Sequence, residues 1–376
     1  MEQLKELYEE ERAKLYGITG SHPGIERYVV TTPETREICT DALLYGEPYT
    51  RRLQAGLTKA LTLLSKHYQK THQQRFLDGI PDSRINILNI LTGSEAWRIK
   101  EALSEAYDRH CPKESHIWSK RYKDGDGEWD IEIYKDKIIA GKGDVLHVGD
   151  IVASGITLEK LMPFILQRYD KAGADIESFV LFTIGGDQAE RVFEKYMDQF
   201  KERNPDFTAK VIYLEGRFTI AEGDRKIEVN GTELDYLTEG TDLLLPGALV
   251  APELLLEDYQ DLIFSLEKCR AYYGSRRHAR PVEHLVELKE AWLAMRGRAY
   301  GGLDMYGALE EKSLFPPEIS PAEFISIAGG MWPDSDTGQL WRLHQDRFDN
   351  ASNNPGDLVK MCDMRLETIA EHLSRV

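Results

Sequence analysis

An apolar strand that ends in an acidic residue, a tight turn and a helix constrains the fold of this chain more than any other stretch. Residues 145–157 read VLHVGDIVASGIT, and the apolar residues up to Val152 predict a buried strand. Beyond the turn, apolar residues recur at helical spacing, at Leu158, Leu161, Met162 and Ile165. A strand that turns directly into a helix predicts one unit of an α/β fold.

The turn in this stretch predicts an anion-binding site. The first N–H groups of a helix lack intrahelical partners, and the helix dipole adds partial positive charge there. The hydroxyls of Ser154 and Thr157 can donate further hydrogen bonds to a phosphate. Asp150, at the end of the strand, can accept hydrogen bonds from neutral hydroxyls such as those of a ribose. The layout therefore suggests a ligand that combines a phosphate with a sugar.

The same residues resemble the phosphoribosyl diphosphate (PRPP) motif of the type I phosphoribosyltransferases. In that motif an apolar strand leads to two acids, two apolar residues and a Thr-Gly-x-Thr-like loop. The resemblance implies that Asp150 is the second acid, which holds the ribose hydroxyls. It also implies that the 5′-phosphate is held by a loop formed by Ala153, Ser154, Gly155, Ile156 and Thr157.

The chain departs from the family motif at two positions. The first acid is replaced by Gly149, which removes a carboxylate that in the family helps to hold the ribose 3′-hydroxyl. If the family geometry is kept, Gly149→Asp should strengthen PRPP binding. Ala153 stands where the hypoxanthine–guanine enzymes carry an Asp near N7 of the base, although other branches have Ala or Thr there. The second change argues against one substrate class and leaves the fold prediction intact.

A second turn of this kind precedes the motif. Leu91-Thr92-Gly93-Ser94 joins a predicted strand over residues 85–91 to a predicted helix over residues 97–107. The turn resembles the pyrophosphate loop of the family, which implies that Thr92, Gly93 and Ser94 receive the departing pyrophosphate through N–H groups and the Ser94 hydroxyl. Taken alone, it is also an ordinary connection between a strand and a helix.

Two basic residues, Lys120 and Arg121, lie just before a polar loop over residues 123–128. In the family, a basic or Ser-Tyr element here precedes a mobile loop that closes over the reacting sugar, so the resemblance implies that both side chains neutralise pyrophosphate. A charged, exposed edge strand explains them equally well. Acidic residues in the loop either hold magnesium or are solvated, and solvation is the better explanation for Asp124, Asp126 and Glu128.

The pattern along the chain predicts a parallel sheet flanked by helices, because strands alternate with helices between about residue 51 and residue 215. Ligands of such sheets bind beyond the carboxyl ends of the strands. The turns at Thr92, Lys120, Asp150 and Gly185-Gly186 would all open at that edge. Their convergence supports a ligand site more strongly than any single motif does.

The two ends of the chain predict additions to this core. Residues 1–50 predict a helical amino-terminal extension. Residues 51–250 would form the core, with β-hairpins from residue 217 onward as a hood over the site. Residues 251–376 predict a mostly helical region. A basic cluster at residues 274–280 either reaches an anionic substrate group or lies on the surface, and the surface location is favoured.

Composition excludes several classes of function. The net charge of −17 argues against a duplex nucleic-acid partner and against an anionic membrane surface. The 4 cysteines are widely scattered, and the chain begins with an acidic, helix-like pattern and no secretion signal, so a reduced, cytoplasmic protein is expected. The histidines lack a metal-ligand spacing, and the common hydrolase, NTPase and dehydrogenase motifs do not occur in the sequence.

These features predict a phosphoribosyltransferase-like enzyme that transfers phosphoribose from PRPP to a small nitrogenous base. Pyrophosphate would leave as its Mg²⁺ complex, so the metal is borne by the substrate, and a homodimer is possible because members of the family are commonly dimers. A sensor or subunit of the same fold that binds PRPP or a nucleotide without turnover is the main alternative, and Gly149 favours it. A nucleotide- or phosphosugar-processing enzyme with a changed reaction is the third.

Overall fold

The computed structural model describes residues 3–20, 23–41, 43–90, 94–125, 129–152, 154–220, 228–229, 232–233, 237–244, 281–310, 315–333 and 335–376. The strands in these ranges are β1 Leu4–Glu10, β2 Ala13–Ile18, β3 Ile25–Thr31, β4 Ile85–Ile90, β5 Lys113–Lys123, β6 Trp129–Lys137, β7 Asp144–Val152, β8 Ile176–Gly185, β9 Thr208–Ile220, β10 Glu228–Val229, β11 Thr232–Glu233 and β12 Leu237–Leu244. The helices are α1 Pro33–Thr40, α2 Glu47–His72, α3 Ile99–Tyr107, α4 Ile156–Ala172, α5 Gln188–Arg203, α6 Pro281–Tyr300, α7 Met305–Glu310, α8 Pro321–Met331, α9 Thr337–Asp349 and α10 Pro355–Leu373. Two 3-10 turns, Asp82–Arg84 and Ser94–Trp97, precede β4 and α3.

A ten-stranded sheet forms the centre of the fold, in the order β1-β2-β3-β9-β8-β7-β4-β5-β6, with β12 paired to β9 outside this path. Neighbouring strands from β3 to β5 are parallel. The additions β1–β2, β2–β3, β5–β6 and β9–β12 pair in antiparallel fashion. The predicted fold class, a parallel sheet flanked by helices, is therefore confirmed.

Helices cover both faces of the sheet, and each face has its own apolar core. Side chains of α1, α2 and α3 pack on one face with alternate residues of the strands, among them Val145 and Phe182. Side chains of α4 and α5 pack on the other face, with Val148 and Leu181 among the strand residues. Because strand side chains alternate between faces, residues of β7 with even numbers point towards α4, and those with odd numbers point towards α3.

The predicted helical extension at the amino terminus is wrong, because residues 4–31 form three strands of the main sheet. The charged residues of β1 resemble a solvated helix, but its partners β2 and β3 carry β-branched and aromatic residues that are buried in the sheet. Tertiary pairing overrides the local helical pattern there. The α/β core accordingly begins near residue 4 and not near residue 51.

The amino end of β7 is tied to α4 through a buried carboxylate. Asp144 is fully buried, forms an ion pair with Lys113 and accepts hydrogen bonds from the Tyr169 hydroxyl at 2.7 Å and the Asn86 amide at 3.2 Å. Tyr169 lies in the last turns of α4. The strand and the helix that flank the predicted cradle are therefore anchored to each other at the far end.

The described part of the carboxyl-terminal region, from residue 281 onward, is mostly helical. Residues of α8 and α9, such as Phe324 and Leu340, share the apolar core that contains α4. A separate cluster joins α6, α7 and α10 and packs against Tyr45, whose hydroxyl lies 3.1 Å from His372 Nδ1. Of the predicted hairpins, the described part comprises the β10–β11 pair and the β9–β12 pair. Among the described helices, none is long and apolar enough to cross a membrane.

Candidate functional site at the carboxyl edge of the sheet

The predicted phosphate cradle lies at the carboxyl end of β7. Gly155 is the N-cap residue of α4, and its φ of 72° places it in the left-handed region, which glycine adopts without strain. The first bond inside the helix joins the Glu159 N–H to the Gly155 carbonyl at 2.9 Å. The N–H groups of Ile156, Thr157 and Leu158 therefore have no partner within the helix. Three amides at a positive helix end form a site suited to a phosphate.

The hydroxyl groups assigned to this cradle border the same turn. Ser154 directly precedes Gly155, and Thr157 is the second residue of α4. Both residues are half-buried. Ala153 lies outside the described residues. The arrangement is compatible with two hydroxyl donors beside the free amides.

Close contacts with β8 and α5 fix the cradle in place. The Gly186 N–H donates to the Val152 carbonyl at 3.1 Å, and a Cβ at Gly185 would overlap that carbonyl oxygen. A Cβ at Gly155 would lie 3.1 Å from Gln188 Cβ, so the turn also packs against the first turn of α5. The loop of β7 is therefore held against a second strand–helix connection, and its geometry is set before a ligand arrives.

Asp150 lies at the same edge and is 8% exposed. It has an even number and so shares the α4 face with Val148 and Val152, and it pairs in register with Thr183 of β8. Asp150 precedes the cradle by only a few residues of strand and turn. A pentose whose phosphate is bound at the α4 terminus would thus have a carboxylate beside it.

Trp97 fills the space where a side chain at position 149 would lie. A Cβ built on Gly149 would be 2.5 Å from Trp97 Cγ and 2.6 Å from Trp97 Cδ2. The indole is fully buried. The structure therefore does not accommodate the carboxylate of the family motif at this position, and the expectation that Gly149→Asp strengthens PRPP binding does not fit this geometry. Sequence reasoning missed Trp97, although a glycine inside a strand signals a close neighbour.

His147 lies on the same face of β7 as Gly149 and is completely buried. Its Nδ1 is 3.2 Å from the Val145 carbonyl, and its Nε2 has no hydrogen-bond partner among the described residues. Burial lowers the pKa of His147 from 6.5 to about 4. The ring is therefore neutral in the folded protein near pH 7.

The buried histidine predicts a specific loss of stability in acid. Because the folded-state pKa of about 4 lies below the unfolded value of 6.5, the unfolded chain takes up a proton first. The contribution of neutral His147 to the free energy of unfolding is complete above pH 6.5 and is lost as the pH falls towards 4. The total loss should be about 3 kcal/mol. Denaturant unfolding at pH 7.0, 5.5 and 4.5 measures it. His147→Leu should make the free energy of unfolding depend less on pH in this range, whereas His110→Gln at the surface should not. The same dependence on pH in wild type and both variants would contradict this account.

Ser94 has a different role from the predicted one. Its hydroxyl donates to the Ile90 carbonyl and lies 3.2 Å from the Ile90 N–H, and the residue is buried. The hydroxyl thus closes the end of β4 and is not available for pyrophosphate in this conformation. Thr92 and Gly93 lie outside the described residues.

Lys120 lies at some distance from Asp150. β4 and β7 are parallel, and Ile87 pairs with His147, so Ile90 lies level with Asp150 three residues further along both strands. Ile90 in turn pairs with Ile117 of β5. Lys120 is three residues further along β5, so it is about 10 Å beyond the level of Asp150 and two strands away. Its side chain is exposed and by alternation lies on the face opposite Asp150. The Arg121 backbone belongs to β5, and its side chain lies outside the description. The structure does not bring Lys120 to Asp150.

The β5–β6 hairpin extends beyond this edge and contacts α4 near the cradle. Asp130 of β6 forms an ion pair with Lys160 in the second turn of α4 at 3.1 Å, and it lies 3.3 Å from the Tyr122 hydroxyl. The hairpin thus forms one wall beside the helix terminus. Asp124 is exposed, whereas Asp126 and Glu128 lie outside the described residues. No group of three potential metal ligands occurs in the parts of the chain that the structure covers.

The turn after β8 lies at the same edge of the sheet. Asp187 is the N-cap residue of α5, and its carboxylate forms a 2.7 Å ion pair with Arg191 of the same helix. The acidic residue of the Gly185-Gly186-Asp187 turn is therefore used in a local contact. The basic cluster at residues 274–280 lies outside the described residues.

Comparisons with solved structures find proteins of known fold that are similar to this chain. A protein from Aquifex aeolicus is 16% identical over 51% of this chain and 89% of its own, with a TM-score of 0.31. An adenine phosphoribosyltransferase from Leishmania donovani is 13% identical over 52% of this chain and 86% of its own, with a TM-score of 0.30. A hypoxanthine phosphoribosyltransferase from Staphylococcus aureus is 19% identical over 40% of this chain and 62% of its own, with a TM-score of 0.24. No protein-family model and no curated protein matches the chain.

Proposed function

We propose that this protein is a phosphoribosyltransferase-like enzyme that binds PRPP at the carboxyl edge of its sheet and transfers the phosphoribosyl group to a nitrogenous base. The observation that carries the proposal is the cradle after β7. There Gly155 begins a helix with three free amides, two hydroxyl side chains border the turn, and Asp150 lies a few residues before it. A phosphorylated pentose presents the matching groups, an anion at one end and neutral hydroxyls on the ring.

The chain's own residues would position the sugar and stabilise its charge. The amides of Ile156 and Thr157, with the Ser154 and Thr157 hydroxyls, would hold the 5′-phosphate. Asp150 would accept hydrogen bonds from ribose hydroxyls. Breaking the bond between C1 and the pyrophosphate oxygen leaves positive charge on the sugar ring, and a carboxylate held nearby favours that charge electrostatically. The pyrophosphate keeps the electron pair of the broken bond and departs with the Mg²⁺ that it brought. A ring nitrogen of the base forms the new bond to C1 and gives up its proton to the departing pyrophosphate.

The reaction can be tested directly by measuring pyrophosphate release. The full chain is incubated with PRPP, Mg²⁺ and each member of a panel of purine, pyrimidine and unusual bases. The proposal expects release that depends on one class of base. Absence of release with every base, together with absence of PRPP binding, would refute it.

The cradle predicts that loss of the Thr157 hydroxyl weakens phosphate binding. Thr157→Val keeps the shape and β-branching of the side chain but removes one donor to a charged acceptor, so the affinity for ribose 5-phosphate should fall by about ten- to thirtyfold. Thr71→Val is the matched control, because Thr71 is an exposed α2 residue whose hydroxyl donates to the His67 carbonyl and lies 2.7 Å from His72 Nδ1. Isothermal titration measures both variants. Equal affinities of Thr157→Val and wild type would exclude the Thr157 hydroxyl as a ligand of the phosphate.

Binding without turnover is the second candidate, and the Trp97 contact favours it. The indole occupies the position of the first acid, so the sugar would be held by one carboxylate instead of two. A protein of this kind would bind PRPP or a nucleotide as a sensor or as a subunit of an assembly. Tight PRPP binding without pyrophosphate release for any base would support this function over transfer.

A further inference from the structure

A cluster of polar side chains lies at the ends of β4 and β5, on the face of the sheet that α3 covers. Asn89 of β4 pairs in register with His116 of β5. The next residues, Ile90 and Ile117, belong to the core on the α4 face, so the side chains of Asn89 and His116 emerge side by side on the α3 face. Glu95, in the 3-10 turn after β4, reaches the same place, since its Oε1 lies 3.5 Å from His116 Nδ1.

The residues that the structure describes do not satisfy the hydrogen-bonding groups of this cluster. The side chains of Glu95 and His116 are only 15% and 20% exposed. Both Glu95 Oε2 and His116 Nδ1 are buried without a hydrogen-bond partner among the described residues. The side-chain amide of Asn89, a residue that is 7% exposed, likewise makes no hydrogen bond within the described ranges. Because buried polar atoms of native proteins nearly always have a partner, the cluster points to a bound water or ion.

The charge of Glu95 favours an ion over a water molecule. Its carboxylate forms no ion pair with a lysine or an arginine in the described part of the chain. A largely buried carboxylate without a cationic partner has a large desolvation cost. A bound cation offsets that cost, whereas a water molecule leaves the charge uncompensated.

The distance between Glu95 and His116 matches two ligands of one metal ion. Zn²⁺ binds histidine nitrogen and carboxylate oxygen at about 2.0–2.2 Å, so two such atoms at a tetrahedral angle lie about 3.4 Å apart. The observed separation of Oε1 and Nδ1 is 3.5 Å. A charge-assisted hydrogen bond between an imidazolium and a carboxylate would instead bring the two atoms to about 2.7–2.9 Å.

Both side chains are held in place by their surroundings. The His116 ring stacks on Trp118, with ring centroids 5.3 Å apart and an angle of 9° between the planes. The turn that carries Glu95 is fixed at its start, where the Ser94 hydroxyl donates to the Ile90 carbonyl. Two ligands that are oriented before the ion arrives bind it at a lower entropic cost.

We propose that Asn89, Glu95 and His116 form a binding site for a divalent transition-metal ion such as Zn²⁺. The described residues contain no group of three when only histidine, cysteine and acidic side chains are counted, and here the amide oxygen of Asn89 completes the set. Imidazole nitrogen favours Zn²⁺ over Mg²⁺ and Ca²⁺, and water would fill the remaining position.

The proposed ion would have a structural role. It would fasten the 3-10 turn to β5 on the α3 face, whereas Asp150 lies on the α4 face of β7. The metal site is therefore separate from the proposed phosphoribosyl site and does not depend on the proposed function.

Isothermal titration of the chelator-treated full chain with Zn²⁺ tests the site. Wild type should bind one Zn²⁺ per chain. Glu95→Gln and His116→Gln each remove one ligand and should weaken Zn²⁺ binding by at least about tenfold. His110→Gln is the matched control, because His110 Nε2 lies 3.2 Å from Asp108 in an exposed histidine–carboxylate pair. This variant should bind Zn²⁺ as wild type does.

Two further measurements separate a metal site from an ion pair between the side chains. Thermal melting of the metal-free proteins identifies the variants that fold, and Zn²⁺ should raise the melting temperature of wild type and His110→Gln only. Co²⁺ in place of Zn²⁺ should give the visible absorption bands of nitrogen and oxygen coordination, without the near-ultraviolet band of a cobalt–thiolate bond.

Anomalous scattering from a wild-type crystal grown with Zn²⁺ locates the ion without any variant. The ion should lie within about 2.3 Å of His116 Nδ1 and of a Glu95 carboxylate oxygen. Zn²⁺ at other positions only, a cobalt–thiolate band, or equal Zn²⁺ affinities of wild type and folded His116→Gln would overturn the site. Absence of Zn²⁺ binding by wild type would overturn it as well. None of these results affects the proposed function, which is tested with PRPP.

Discussion

Asp150→Asn is expected to lower the affinity for PRPP by about ten- to a hundredfold and to reduce any pyrophosphate release at least as strongly. The substitution keeps the size of the side chain but removes its charge and one acceptor. Hydrogen bonds to a charged group contribute about 1.5–3 kcal/mol, which corresponds to this range of affinity. Loss of the negative charge also removes the electrostatic stabilisation of the cationic sugar. Isothermal titration and a pyrophosphate-release assay measure the two effects.

The fold should survive this change, because Asp150 lies at the end of a strand and not in its middle. Asp206→Asn is the matched control, since Asp206 is exposed in the turn before β9, at the amino edge of the sheet. It should bind PRPP as wild type does. A folded Asp150→Asn variant with unchanged affinity would contradict the assignment of the ribose hydroxyls to this carboxylate.

Gly149→Asp is expected to destabilise the protein by more than about 3 kcal/mol. Its Cβ would overlap the fully buried indole of Trp97, and inserting even small groups into a packed core costs about 1–3 kcal/mol. The new carboxylate would also be buried without a designed partner, which adds a desolvation cost. Denaturant unfolding of the wild-type and variant chains measures the difference.

The loss of stability should depend on the position of the glycine and not on the introduction of an acid. Gly297→Asp provides the comparison, because Gly297 is exposed on α6 and a Cβ there meets no atom within 4 Å. That variant should unfold within about 0.5 kcal/mol of wild type. A Gly149→Asp protein as stable as wild type, with stronger PRPP binding, would show that Trp97 can leave and that the motif of the family can be restored.

The central part of the fold was predictable from the sequence because its periodicity is strong and local. The strands β4, β7 and β8 are mostly apolar and almost entirely buried, and each is followed by a turn and a helix. The amino-terminal strands were not predictable in this way. Residues 4–10 carry four acids or lysines in seven positions, and only pairing with β2 gives them an extended conformation.

The cradle was predictable for the same reason, since a glycine and two hydroxyl residues at a strand–helix turn define a helix terminus locally. Two contacts that modify the site were not predictable in this way. Trp97 and Gly149 are far apart in sequence and meet on the face of β7 that α3 covers, and the Ser94 hydroxyl turns back to Ile90 instead of outwards. Neither contact has a local signature except the glycine in the strand. Lys120 was assigned from order along the chain, but the register of β5 carries it away from Asp150.

A crystal structure with ribose 5-phosphate bound tests the central claim most directly. The account predicts the phosphate at the amino terminus of α4, within hydrogen-bond distance of the Ile156 and Thr157 amides and of the Ser154 hydroxyl, with the ring over Asp150. A sugar phosphate that binds elsewhere, with the α4 terminus empty and Ser154 and Thr157 in contact only with solvent, would contradict it.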